Sequence, residues 1–169
     1  MKRMFVVAVL MVVCITWAIA AGLAASDQQQ LIIHAAVAAK AKLTLGATDI
    51  HFPDADPDGA PLIEATEKTV SVAVKARTGS SSNVTLTVKA NGDLQAGASG
   101  PTIPITKVTW TASGDPGFVG GRMDTVDTPA GSWTGSVQCS GAFSYFLDND
   151  WSYQPGDYSQ TVVYTLTAP

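Results

Sequence analysis

The chain has few of the residues that carry chemistry. It holds 2 cysteines and 2 histidines in 169 residues, and only 14% of its side chains are charged. His34 and His51 have no Glu-flanked helical partner, so the zinc-protease spacing is missing. There is no Cys-x-x-Cys pair and no phosphate-cradling glycine loop. Gly97-Ala98-Ser99-Gly100 lacks the spacing of a nucleophile elbow. The acidic residues fall mostly in turn-rich stretches, where Asp is expected for its backbone bonding. Hydrolysis needs a nucleophile with a base, or paired carboxylates in a cleft. The sequence offers neither, and the expectation is a protein that is not an enzyme and has no cofactor.

Positive charge is also scarce. Lys and Arg number 10 against 14 Asp and Glu, and two of the ten, Lys2 and Arg3, stand at the extreme N-terminus. Without them the balance is 8 to 14, a net of −6. That argues against a nucleic-acid partner, which requires a basic face. It also provides no polybasic attraction to anionic lipid.

Lys2 and Arg3 precede an uncharged run from Met4 to Ala20, followed by small residues that include Ala18-Ile19-Ala20 and Ala24-Ala25. A basic start, an apolar run and a small-residue exit are the three parts of a secretory signal. Cleavage is expected within 20–25. The run 4–25 is also long enough to span a bilayer, but its small-residue exit favours removal. The expected organisation is a signal peptide over 1–25 and one domain over 26–169, exported to the periplasm, the cell surface or beyond, with no membrane segment in the mature form. The mature part keeps Cys139 alone, so it has no internal disulfide, and the sequence pattern predicts a buried thiol.

From residue 31 onward the apolar positions recur every second residue. Leu31, Ile33, Ala35, Val37, Ala39, Ala41, Leu43 and Leu45 share one face, while His34, Lys40, Lys42 and Thr44 lie on the other. Period two indicates a strand. Fifteen residues is long for one strand, so 31–45 is either a long first strand or an extension that leaves the domain. The alternation returns at Val70, Val72, Val74 and Ala76 and again at Val84, Leu86 and Val88. These two runs read as neighbouring antiparallel strands. Further strands are expected at Ile103–Thr111, at 132–139 and 142–147 with a hairpin at Ser140-Gly141, and at Tyr158–Thr167. A short pairing segment is expected at Phe118-Val119. No useful helical spacing occurs after residue 45. About 7–9 short strands separated by turns predict an all-β, antiparallel, immunoglobulin-like sandwich.

Two groups of residues suggest binding. Asp54-x-Asp56-x-Asp58-Gly59 resembles the opening of a calcium loop, in which alternate oxygens converge on one cation. The twelfth position holds Ala65 rather than Glu, and Pro57 and Pro61 also suit a plain proline-fixed turn. Calcium is therefore a candidate ligand beside the simpler turn reading. Trp110, Trp133, Trp151 and Tyr153 are candidates for a sugar platform. Of these, Trp151 and Tyr153, in a polar loop, are the best candidates for an exposed pair.

Pro155-Gly156-Asp157-Tyr158 and the closing 161–169 resemble two groups of bacterial surface domains. One is the WxL cell-wall-binding group, with Tyr164-Thr165-Leu166 and Val84-Thr85-Leu86 at the places of its aromatic-x-Leu triplets. The other is the pilin-like subunits of chaperone–usher systems, including spore-coat-U-like proteins. The second resemblance implies assembly by strand addition, with Leu31, Ile33, Ala35 and Val37 as the donated residues and a sister subunit or second copy as partner. The first implies a monomeric module that binds cell-wall polymer or glycan. The leading expectation is a secreted structural or adhesive subunit, and the glycan-binding module is the alternative.

Overall fold

The computed structural model describes residues 27–169. The expected signal peptide over 1–25 lies outside the described residues. The chain divides into two units between residues 35 and 36. In the first unit, residues 27–35 have no regular secondary structure and are exposed.

The second unit is an all-β antiparallel sandwich. Its strands are β1 (Lys40–Leu45), β2 (Leu62–Glu64), β3 (Val70–Arg77), β4 (Asn83–Ala90), β5 (Leu94–Ala96), β6 (Thr102–Ile103), β7 (Val108–Gly114), β8 (Gly121–Arg122), β9 (Thr128–Thr134), β10 (Val137–Asp148), β11 (Tyr158–Ser159) and β12 (Val162–Thr167). Seven of them have six or more residues, and the other five are short supports. The only helical element among the described residues is a single 3-10 turn at Ile105–Lys107.

One sheet runs β1-β3-β10-β7-β8, with β2 also on β10. A second runs β12-β4-β9, and a small third runs β11-β5-β6. Val72 and Val74 of β3, Trp110 of β7 and Phe143 of β10 meet Leu86 and Val88 of β4 in one buried cluster. The alternation explains the burial. In β3 the positions read buried, exposed, buried through Val70, Val72, Val74 and Ala76. In β4 the buried set is Val84, Leu86, Val88 and Ala90. Period-two side chains can fill a core from one face only.

Three expected connections differ in the structure. Strands β3 and β4 are not hydrogen-bonded neighbours: β3 pairs with β1 and β10, and β4 pairs with β12 and β9. The Gly79–Ser82 turn therefore carries the chain from one sheet to the other. Each run has its own apolar face, and facing sheets bury both faces as well as a hairpin would bury one. Ser140-Gly141 is not a turn either, because β10 runs unbroken from Val137 to Asp148. The real turn is Gly135-Ser136, again between sheets. Gly141 is present because of crowding: a Cβ there would lie 2.6 Å from the Ser113 carbonyl oxygen and 2.7 Å from the Phe118 ring. Glycine inside a strand often marks such a close approach. Finally, strand pairing in the first run begins only at Lys40. Residues 31–39 have no strand partner among the described residues. The Phe118-Val119 segment pairs as expected, through a bridge from Phe118 to Gly131.

In the seven-strand immunoglobulin arrangement one sheet is ordered A-B-E-D and the other C-F-G. The order β1-β3-β10-β7 reproduces the first sheet, and β4 with β12 supplies C and F. No described strand lies at the G position, on the far side of β12. The other edge of that sheet is covered: Val119 N–H donates to Ala130 O at 3.1 Å, and Ser132 N–H to Gly117 O at 2.9 Å.

Gly141→Ala should destabilise the domain by about 1–3 kcal/mol, because the added methyl must displace backbone as well as a ring. Urea unfolding of the variant beside the parent measures the loss. An unchanged midpoint would mean that this crossing has more room than the structure gives it.

Candidate functional site

The residues flanking the vacant strand position are unlike the rest of the core. Inward side chains of the central β4 are sealed, with Val84 and Leu86 at 0% exposure. Inward side chains of β12 (Val162, Tyr164, Leu166) and of β1 (Leu43, Leu45) are only half-buried, although all five pack on the core cluster. Strands β1 and β12 approach each other across the gap. The ends that meet are defined by Thr78, whose hydroxyl bonds the Pro169 carbonyl, while Arg77 is opposite Lys40 in register. Thus β1 begins where β12 ends.

Toward the other end of these strands the gap widens into a cleft of about 1430 Å³. Its floor is core: Val70, Ile105, Val108 and Met123 all line it. One wall is the start of β12 with Tyr158. The other is an irregular strap over 46–61, whose Ala47, Ile50 and Phe52 pack on the core.

A few polar ties hold the strap. Glu67 grips His51 twice: Oε2 accepts the His51 backbone N–H at 2.9 Å, and Oε1 meets Nδ1 at 2.7 Å. Thr66 N–H returns a bond to His51 O at 2.8 Å. The turn that presents Glu67 has Lys68 in the left-handed region at φ 56°, which is uncommon outside glycine. Asn149 then ties the strap's far end, with Nδ2 donating to Ala55 O at 2.9 Å and to Ala60 O at 3.1 Å. The His51 ring is held above the ordinary imidazole value, first by its bond to Glu67 and then by that carboxylate's charge. Glu67 is held below the usual carboxylate range by the same bond.

The two groups of binding candidates meet at the cleft mouth. Asp56 Oδ1 accepts the Asp58 N–H at 3.0 Å, which closes the proline-fixed turn. Asp58 Oδ1 accepts the Trp151 indole N–H at 3.1 Å. Asp54, Asp56 and Asp58 do not converge, and no three His, Cys, Asp or Glu among the described residues form a group that could hold a metal ion. The Asp56 carboxylate serves the turn and that of Asp58 the neighbouring loop. Trp151 is exposed, at 69%. Tyr153 is half-buried in the same loop, and its hydroxyl is buried without a hydrogen-bond partner among the described residues. Trp110 and Trp133 point elsewhere: each gives its indole N–H to a backbone carbonyl at 2.9 Å, of Val119 and Pro116 respectively, and Trp110 is core.

Leu31, Ile33 and Val37 are exposed at 85%, 82% and 69%, and Ala35 is exposed as well. Cys139 is a free, buried thiol on β10 opposite Val74, and burial pushes its pKa up. Sequence reasoning missed the strap, the Glu67 grip, Asn149 and the Tyr145–Tyr164 hydroxyl pair at 2.8 Å. Only the apolar Ile50 and Phe52 beside a turn-rich stretch signalled the strap. No family model matches this chain, and no curated protein is similar to it.

The Glu67–His51 tie should be strongest in a pH window. The raised His51 pKa contributes fully below the unfolded value of about 6.5 and is lost as pH rises through the folded value. The lowered Glu67 pKa contributes above its unfolded value and is lost as pH falls through the folded one. The strap should therefore be held best at mildly acidic pH and loosen above neutrality. NMR titration of the His51 ring should give a pKa above 6.5 that returns to the ordinary value in Glu67→Gln. No change in that variant would remove the tie from the account.

Proposed function

We propose that this chain is a secreted structural subunit whose sandwich is completed by a strand from a second copy. The observation that carries the proposal is the vacant position beside β12, flanked on both sides by half-buried apolar side chains. An edge strand presents a row of unpaired N–H and C=O groups, which natural proteins usually cover or blunt. Here the edge is regular over six residues, has no proline and borders a cleft with an apolar floor.

The donor belongs to the same sequence. Leu31, Ile33, Ala35 and Val37 alternate at the strand period and are exposed. In strand addition, main-chain bonds provide affinity and alternate side chains fill pockets. Such a segment, laid along β12, presents four apolar side chains to the open side of the core. The resemblance of the last strand to pilin-like subunits supports the same reading. The signal-like N-terminus supports export and a place in the periplasm or at the cell surface.

A second reading, a surface module that binds glycan, draws on the exposed Trp151 and the unpartnered Tyr153 hydroxyl at the cleft mouth. The largely apolar floor of the cleft favours alternating side chains over a polyhydroxylated ligand.

The mature protein should associate in a concentration-dependent manner in sedimentation velocity. Deleting Gln30–Val37 should leave a folded monomer of nearly unchanged melting temperature, because the segment removed is exposed. A deletion that unfolds the domain, or a parent that stays monomeric at high concentration, would contradict strand addition. Quenching of Trp151 fluorescence by cell-wall oligosaccharide in such a monomer would favour the glycan reading.

A further inference from the structure

The outer face of the first sheet carries an uncompensated cluster of positive charge. Lys40 lies opposite Arg77 in register, and Lys42 opposite Lys75. All four are exposed on the same side of β1 and β3. Like charges directly opposite each other across strands are destabilising, yet none of the four has an ion-pair partner among the described residues. The Arg77 Nε–H donates instead to Ala38 O at 2.9 Å. Half of the eight basic residues that follow the signal-like segment are gathered here. Across the sheet the neighbouring outward residues are Gln138 and Ser140, and Asp115 further on is bonded to the Ser140 N–H.

The opposite end of the same strands has the reverse sign. Asp49, Asp54, Asp56, Asp150 and Asp157 line the cleft, and among the described residues no Lys or Arg does. The one group there that can become cationic, His51, is already held by Glu67. Lys107, near Asp150, is paired with Asp148 at 3.6 Å. The basic cluster lies at the end where β1 begins and β3 finishes. The acidic rim lies where β1 finishes and β3 begins, roughly 20 Å away at about 3.3 Å per residue.

We infer that the basic face of β1 and β3 in one copy docks on the acidic rim of the cleft in the next. This rests on the strand-addition reading and names what selects and orients the partner. The donor segment Leu31–Val37 ends three residues before Lys40, so a segment seated in a neighbour's cleft brings its own basic face to that cleft's mouth. From Gln28 to Lys42 the segment has no carboxylate, and it carries His34, Lys40 and Lys42. An acidic occupant would be repelled by five aspartates. Two different surfaces at opposite ends make a head-to-tail contact, which extends as a filament or closes as a ring. Rim charges of this kind chiefly raise the association rate and reject wrong partners.

The test uses the full mature chain and two triple variants, K40E/K42E/K75E and D49K/D54K/D157K. All six positions are exposed, so melting temperatures should hold. Parent association should weaken at least about tenfold between low salt and about 0.5 M salt, where the Debye length falls to a few ångströms. Each variant alone should associate at least about tenfold more weakly than the parent at low salt. An equimolar mixture of the two should recover association, because each supplies the surface the other now repels. Folded variants that associate like the parent, or a mixture with no recovery, would overturn the charge pairing. If the Gln30–Val37 deletion is still monomeric in that case, strand addition stands without it. A parent that never associates would overturn both.

Discussion

A half-exposed apolar row between two strand edges governs the architecture. Sheet sandwiches hide their inward side chains by placing a strand over every part of the core. This domain does so around β4 and β10, where Leu86, Val88 and Phe143 are sealed. It does not do so between β1 and β12, where Leu43, Leu45, Val162, Tyr164 and Leu166 remain partly open. Apolar surface of this kind is costly in water at roughly 25 cal/mol per Å². The strap, the cleft and the charge distribution are arranged around that gap.

The strap covers part of the gap without a strand's hydrogen-bond ladder. Ala47, Ile50 and Phe52 provide apolar cover, while Glu67, Asn149 and Asp58 hold the backbone and the neighbouring loop. Behind it, aromatic packing stiffens the floor: Phe143 stacks on Tyr164 with centroids 5.9 Å apart, and Phe118 meets Phe143 edge-on at the same distance. Tyr145 and Tyr164 share a hydrogen bond between their hydroxyls, and burial raises both phenol pKa values, that of Tyr164 well above the usual range. A rigid floor beside an irregular strap is a cleft that keeps its shape while one wall rests on a few polar contacts.

Much of the fold was legible because period-two alternation is a direct consequence of strand geometry. Val70–Ala76 and Val84–Val88 bury the faces that the pattern assigned to them, and Val162–Leu166 turns its assigned face toward the core but leaves it half-buried. Pairing was less legible. Alternation fixes which face is buried but not which sheet receives it, so the β3–β4 connection crosses between sheets where neighbouring strands were expected, and the hairpin expected at Ser140-Gly141 is instead the unbroken β10. Gly141 reads as a turn in sequence and acts as clearance for Phe118 in the fold. The Asp54–Asp58 pattern resembled a metal loop because turns and calcium loops both use Asp at alternate positions. Its partners Trp151 and Asn149 lie more than ninety residues away, beyond the reach of any local motif. The 31–45 run was legible as strand-forming, but only its Lys40–Leu45 part has a strand beside it.

The proposed assembly requires an outer β12 edge that is open within one copy and is covered when copies associate. Amide hydrogen exchange resolved to single residues tests it most directly. In the dilute monomer, β12 amides that point away from β4 should exchange orders of magnitude faster than those of β4 itself. They should become protected when the mature chain associates, and stay unprotected in the Gln30–Val37 deletion at the same concentration. Uniform protection of Val162–Thr167 in the monomer, or no gain of protection on association, would contradict the account.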